Sequence, residues 1–453
     1  MSEQRSAKRM NRRGFLRSGA AAGAGLVFSP MVLGQAETSK KEDDINVALL
    51  GTGAQGQVLV QACLKMDKSY GIRFKAVCDI WKDYNQRIAS RLLKAYRHEH
   101  NTYQDYREML DKEKDLDAVI IATPDFWHAE HAVACLKAGL HVYCEKEMSN
   151  TLEGAKKMVA AAKETGKLLQ IGHQRRSNPY YIYCYEKLLK EANLLGRITT
   201  VNGQWNRSKV ACEDQGWPEK APVDEATLNK YGFKSMEQFR NWRWYKGMGG
   251  GPIVDLGSHQ IDIYNWFLGA EPKAVMASGG TDYWKNHEWY DNVMAIYEYE
   301  TKQGVVRAFY QTLTTNSSNG YFETFMGDEG TLVVSEASNR GSVYREVGVP
   351  EDAWDKWVRK GYLKKDEPVQ PKDNGSAVDL RSTIPAAKYD LPITMDKPYH
   401  QPHLENFFDA IRGKATLNCP AEIGYETAVT VLKVNDAVAA ARRLDFEAGE
   451  FKV

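Results

Sequence analysis

The stretch that decides the fold is "INVALLGTGAQG", Ile45 to Gly56. Ile45, Val47, Leu49 and Leu50 form a short apolar run, as in a strand covered on both faces of a parallel sheet. Three glycines follow at once in the pattern G-x-G-x-x-G: Gly51, Gly53 and Gly56. The first permits a tight turn, the second lets backbone approach a pyrophosphate, and the third lets helix and strand pack closely. A helix that opens there turns free N–H groups and the positive end of its dipole toward phosphate. Asp79 closes the next apolar run, "FKAVCD". A carboxylate there accepts hydrogen bonds from a ribose 2′-hydroxyl and repels a 2′-phosphate, so NAD is expected over NADP. The same side chain suits a cap on the turn "IWKDY", and the two roles are compatible.

Working outward, "DAVIIATP", "HVYCEK" and "KLLQIGH" are further buried-strand runs, separated by segments of helical spacing such as "QVLVQACLKM" and "HAEHAVACLKAG". Alternating strands and helices predict a doubly wound α/β domain over residues 45–173. Beyond it, "RITTVNGQWN", "AVMASGGTDYW", "NVMAIYEYE", "VVRAFYQTLTT" and "FETFMGDEGTLVVS" are rich in β-branched and aromatic residues. They predict an antiparallel sheet in a second, α+β domain over 174–453. Ser208 to Lys246 and Arg340 to Tyr399 read as long irregular stretches, which usually carry function or partner contacts. Two amphipathic helices close the chain within 403–441 and are expected to pack back on the first domain.

The formal net charge is +1, which argues against a nucleic-acid or anionic-membrane surface. The 24 tyrosines and 11 tryptophans suit either packing or carbohydrate stacking. Residues 1–36 read as a twin-arginine export signal. It holds Arg12 and Arg13, then Phe15 and Leu16, a weakly apolar run from Gly19 to Leu33, and small residues Gly34 and Ala36 at the cleavage position. The run is short and broken by Pro30, unlike a membrane span, and no other segment is apolar enough to be one. Residues 37–44 read as a solvated linker. A periplasmic or secreted protein is therefore expected, one that the twin-arginine machinery carries out already folded. The seven cysteines are odd in number and lack CxxC pairs, so neither a disulfide framework nor a metal site is expected.

A second motif is "GGGPIVDLGSHQID", Gly249 to Asp262. Asp255 and His259 are four apart and share a helix face. A histidine beside a carboxylate is a natural general base, although a capping aspartate and a packed histidine would give the same spacing. Lys146, in "CEKE", ends a predicted parallel strand, where ligands of such sheets gather.

With these residues the chain resembles the glucose–fructose oxidoreductase / inositol dehydrogenase / MocA family. The likeness runs through "GTGAQG", "VCD", "ATPDFWH", "CEKE", "IGHQRRSNP", "GGGPIVDLGSHQID" and "HLENFFDAIRG". It implies a Rossmann domain, a C-terminal domain on an open, mainly antiparallel sheet, and a homo-oligomer built through that sheet. The E-K-P motif maps onto Glu145 and Lys146, and D-x-G-x-H onto Asp255 and His259. Gln55, Thr123, Pro124, His128 and Glu145 are expected to join the glycines, Asp79 and Lys146 around a tightly bound NAD. His128 and His173 read equally well as packed or capping residues. The implied chemistry is hydride transfer. A sugar hydroxyl loses its proton to His259 as its carbon gives hydride to the nicotinamide. Lys146 steadies the oxygen, and Asp255 orients the pair. Arg175 and Arg176 in "QRRSNPYY", and Trp242, Trp244 and Tyr245 in "FRNWRWYKG", are candidate substrate contacts, with interface packing the alternative. Glu147 stands where the family has proline. Its side chain is expected in solvent or paired with Arg175 or Arg176, with a substrate contact as the alternative.

An exported enzyme meets little free NAD, so the cofactor must be recycled in place. The leading expectation is an oxidoreductase acting on a sugar or glycoside. The alternatives are a redox-cycling glycoside hydrolase and a non-catalytic sugar-binding protein.

Overall fold

The computed structural model describes residues 43–337, 340–366 and 386–453. The export signal read over 1–36, and the linker up to residue 42, lie outside the described residues.

Strand β1 (Ile45–Leu50) is buried along its whole length. It pairs in parallel with β2 (Ile72–Cys78) on one side and β4 (Ala118–Ile121) on the other. With β3 (Asn101–Tyr103), β5 (His141–Cys144) and β6 (Leu169–Ile171) they form a sheet of order β3-β2-β1-β4-β5-β6. Helices α1 (Ala54–Leu64), α2 (Arg87–Ala95), α3 (Tyr106–Lys112), α4 (Asp125–Lys137) and α5 (Leu152–Thr165) make the connections. Strand order reverses between β1 and β4, which opens a crevice at their carboxyl ends. The expected strands are all present. β3 was not expected: it is short, and two of its three residues are exposed, so no apolar run marks it.

The second sheet holds β7 (Ile198–Asn206), β8 (Pro272–Gly280), β9 (Asn292–Thr301), β10 (Gly304–Leu313), β11 (Tyr321–Gly327), β12 (Gly330–Val334), β13 (Gly341–Arg345), β14 (Lys364–Lys365), β15 (Ala387–Asp390) and β16 (Leu444–Asp445). Their order is β14-β15-β13-β12-β11-β7-β10-β9-β8-β16. Only the β7–β10 pair is parallel among them. The stretch Arg340 to Tyr399, read as irregular, supplies three of these strands and a helix, Glu351–Arg359. Those strands are short, and β14 is a pair of exposed lysines, so their pairing comes from the neighbouring strand rather than from their own pattern. On β9, Val293, Ala295, Tyr297 and Tyr299 point inward against helix α6 (Ser258–Leu268) and its surroundings, while Met294 and Ile296 point outward.

The closing helices α7 (Gln401–Ile411) and α8 (Ala421–Ala440) complete the first domain. Alternate residues of β1 face opposite sides. Val47 and Leu49 share a core with Leu59 of α1 and with Leu404, Phe407 and Phe408 of α7. Ala48 and Leu50 share one with Met158 of α5 and with Tyr425 and Val429 of α8. All seven cysteines are buried and unpaired. No helix among the described residues is long and apolar enough to cross a membrane.

Gly56 faces the turn at Gly51, and an added Cβ would stand 2.1 Å from the Gly51 carbonyl oxygen. Gly56→Ala should therefore push α1 away from the loop. The expected cost is about 1–3 kcal/mol of stability, with weakened dinucleotide binding. Thermal denaturation with and without NAD measures both, and an unchanged melting temperature would contradict the packing.

Candidate active site

A cavity of about 500 Å³ lies at the carboxyl edge of the parallel sheet and reaches the second domain. At one end, Gly51 turns the chain with φ +91°. The Asp79 carboxylate fixes this loop: one oxygen accepts from the Thr52 N–H (2.7 Å) and hydroxyl (2.9 Å), the other from the Trp81 N–H (2.7 Å). Burial raises the Asp79 pKa, against the opposing pull of those donors. Asp79 thus caps the Trp81 turn and also lines the cavity. No side chain caps the N-terminus of α1, and its first turn holds no acidic residue. Gly53 has open space where a Cβ would stand, with only an Asn85 nitrogen at 3.7 Å. A glycine cradle, an uncapped helix end and a carboxylate beside them fit a dinucleotide.

Gln55, Thr123, Pro124, His128, Glu145 and Lys146 all line the cavity. Several of them also have partners within the protein: the Thr123 hydroxyl lies 3.0 Å from His131 Nδ1, and Glu145 accepts from the Tyr143 hydroxyl at 3.2 Å. Gln55 Nε2 lies 2.9 Å from His400 Nε2, on the segment before α7. Both His128 ring nitrogens sit 2.7 Å from main-chain carbonyls, those of Thr123 and Glu147. The ring is wedged between the turn after β4 and the turn after β5; neutral, it donates to one of these carbonyls, and neither nitrogen faces a ligand. Burial lowers its pKa to about 4. His173 is buried, off the cavity wall, with both ring nitrogens unpartnered.

Lys146 projects from the turn after β5. The Lys146–Glu147 peptide is cis although Glu147 is no proline. Its ammonium donates to the main-chain carbonyl of Asp255, linking the two domains. Asp255 sits in a short π-helical turn, Ile253–Gly257, that runs into α6. Its carboxylate does not meet the His259 ring as expected. It accepts from Arg243 Nε at 3.0 Å and pairs with Arg207 Nη1 at 3.4 Å. Burial opposes the charge, but Arg243, Lys146 and Arg207 outweigh it and hold the carboxyl well below its ordinary range. His259 lines the cavity, with Nδ1 unpartnered and the ring tilted beside Trp205 at 5.5 Å. Burial, then Lys146 and Arg175, keep its pKa well below the ordinary imidazole value. The ring is therefore a neutral base at neutral pH.

The structure corrects several substrate expectations. Arg175 is 1% exposed and pairs with Glu323 and, at 2.9 Å, with Glu336. Arg176 pairs with Asp262 at 2.8 Å. Neither arginine lines the cavity itself: buried carboxylates of the second domain hold both, and Arg175 lies behind the wall, against Glu336, Trp205 and Tyr321. Trp242 and Trp244 do line the cavity, whereas Tyr245 does not. Arg207, Arg243, Trp205, Tyr321, Asp125 and His400 also line it and were missed. Arg243 lies inside the quoted "FRNWRWYKG" run and Trp205 near the end of the quoted strand "RITTVNGQWN", so their signals were present, while Arg207 stands one residue past that strand's quoted end.

The Rossmann model of the GFO/IDH/MocA family, described as an oxidoreductase family with an NAD-binding Rossmann fold, matches residues 45–173. The family's C-terminal domain model matches residues 187–333, and the two together span well over half of the chain. The chain belongs to the GFO/IDH/MocA family. The chain is also similar to single curated proteins. The 1,5-anhydro-D-fructose reductase of Ensifer adhaerens is 29% identical over 227 residues, covering 50% of this chain and 59% of that protein. A glycosyl hydrolase family 109 protein of Shewanella baltica is 29% identical over 178 residues, covering 35% of this chain and 38% of its own. The chain thus spans less than two thirds of these curated relatives. A solved levoglucosan dehydrogenase, in complex with NADH and L-sorbose, superposes with a TM-score of 0.65. The superposition covers 90% of this chain and all of that one, at 19% identity, and it shows a shared fold.

Where the GFO/IDH/MocA pattern has proline, the Glu147 side chain is neither in solvent nor paired with Arg175 or Arg176. It is 1% exposed. One oxygen accepts from the Met148 N–H at 2.9 Å, and the other has no partner. Burial raises its pKa to about 8, against the pull of that N–H and of Lys146. The folded protein thus keeps a proton here that the unfolded chain releases near the ordinary glutamate value, so this residue's contribution falls as pH rises between the two. Glu147→Gln should remove that loss. Its melting-temperature advantage over the parent should grow from about pH 5 to about pH 8. A difference that stays constant with pH would show that the carboxyl is already ionised.

Proposed function

We propose that this protein is an NAD-dependent oxidoreductase acting on a sugar or glycoside hydroxyl. One observation carries the reading: the glycine cradle, the Lys146 ammonium and the neutral His259 ring line a single cavity. Bound NAD would supply the hydride acceptor. The residues of the chain do the rest. His259, held neutral by burial, takes the hydroxyl proton on its imidazole. Lys146 is aimed by its bond to the Asp255 carbonyl, and its remaining N–H donors stabilise negative charge on the substrate oxygen. Asp255 acts as an anchor for Lys146, Arg207 and Arg243. Asp79 favours NAD over NADP by its charge.

The same reading holds that the cofactor stays bound through turnover. Residues 208–246 of the second domain form a strap across the first. The Trp81 indole donates to the Ala221 carbonyl at 2.7 Å, the Trp127 indole to Tyr231 at 3.2 Å, and the Tyr231 hydroxyl to Gln104 at 3.0 Å. Trp81, Tyr231, Phe233 and Met236 share one apolar cluster. Strap residues Tyr231, Phe233 and Phe239 wall the cavity on the side of Asp79. Retention suits the export proposed for residues 1–36, since nucleotide is scarce outside the cytoplasm. The outward face of the second sheet leaves Met276, Met294 and Ile296 exposed, which suits pairing of subunits through that face.

A second reading, a glycoside hydrolase that regenerates its cofactor within each turnover, draws on the family 109 relative and on the strap. Purified protein offered a panel of sugars and glycosides separates the two. Reduced-nicotinamide absorbance that a second sugar reverses supports oxidoreduction, whereas steady absorbance with free sugar accumulating supports hydrolysis. Absence of nucleotide at any occupancy would sink both. Lys146→Ala should lower kcat by at least about a hundredfold while nucleotide stays bound, and full activity would overturn the assigned role. Phe233→Ala should raise the nucleotide dissociation rate roughly tenfold by opening the strap's apolar cluster. Fluorescence of bound NADH follows it, and an unchanged rate would remove the strap from retention.

A further inference from the structure

The cations of the cavity are unevenly distributed. Lys146, Arg207 and Arg243 converge on one residue, Asp255. Arg207 and Arg243 are 36% and 41% exposed, while the Asp255 carboxylate between them is 16% exposed. Each guanidinium carries five N–H donors in a planar fork, and each meets this carboxylate through a single nitrogen. Each also lies over a tryptophan ring, Arg207 over Trp205 at 5.2 Å and Arg243 over Trp242 at 4.3 Å. Cation–π stacking holds a planar fork in place and leaves its edge available.

Of the other acids of the wall, Asp79 stands at the glycine-loop end, where it holds the Thr52 and Trp81 N–H groups. Glu336 is taken by Arg175, Glu145 by the Tyr143 hydroxyl, and Glu213 has an interaction of its own. Asp125 is buried at the start of α4, and burial raises its pKa to about 7. Around Asp255 itself, three cations, Lys146, Arg207 and Arg243, thus meet one fully ionised carboxylate.

We infer that the substrate bears an anionic group, a carboxylate or phosphate on a sugar, received by Arg207 and Arg243 together. Planar forks match such oxyanions, and two of them fix the ligand's register. Placed there, the anion completes the charge balance around Asp255 and sets its sugar beside His259 and Trp205. This inference rests on the sugar oxidoreductase reading and narrows its substrate class.

The test is ligand binding to the full, nucleotide-loaded protein, followed by tryptophan fluorescence, since Trp205 and Trp242 lie under the two guanidiniums. The probes are D-glucose, D-glucuronate and D-glucose 6-phosphate, each at low and high salt. At least one anion should bind about tenfold or more tightly than glucose, and which one does so distinguishes carboxylate from phosphate. The advantage should shrink with salt and vanish in Arg207→Gln and Arg243→Gln, both of which keep nucleotide. Equal affinity for all three probes, no anion binding, or variants that weaken glucose and anion alike would overturn it. Nicotinamide absorbance read in the same titration tests the parent reading separately. An anion that binds through the arginines, with no sugar of the panel reducing the cofactor, sinks the redox reading and leaves the anion site standing.

Discussion

The bond from the Lys146 ammonium to the main-chain carbonyl of Asp255 is the interaction on which the site depends. Lys146 belongs to the parallel sheet and Asp255 to the helix laid on the second sheet, so the bond sets one domain's edge against the other. A main-chain acceptor suits this duty because it keeps the Asp255 carboxylate for Arg207 and Arg243. It also leaves His259 without an acidic partner, so the ring's neutrality comes from burial and nearby cations. His259 and Asp255 are therefore better described as two separate devices on one helical turn.

Much of the first domain was legible because its signals are local. Buried parallel strands must be apolar along their length, and the glycine loop declares itself within six residues. The second sheet was legible where strands alternate, as on β9, and illegible where short polar strands pair only through a neighbour, as with β14 and β15. The site divides the same way. Lys146, Asp255 and His259 stand in recognisable motifs, and the structure gathers them around one cavity.

Arg175 and Arg176 show why the remainder was hidden. In the sequence they resemble substrate ligands, being basic and close to a strand end. Their partners Glu323, Glu336 and Asp262 lie far along the chain, and no local pattern announces a buried carboxylate. Arg207 and Arg243 were overlooked for the converse reason. Their common partner and the rings beneath them are brought together only by the packing of β7, the strap and the π-helical turn. Glu147 likewise reads as a surface charge, yet its neighbours enclose it completely.

The two closing helices carry a consequence for how the chain folds. Both faces of the parallel sheet remain incomplete until α7 and α8 arrive, because Phe407, Phe408, Tyr425 and Val429 belong to its cores. The first domain is thus completed only by helices that follow the second in the chain. A chain truncated before α7 keeps α1 and α5 against the sheet but loses the closing helices' share of both cores, and such partly covered apolar surface favours aggregation. The fold of the earlier domain therefore depends on contacts separated from it by the whole of the second sheet.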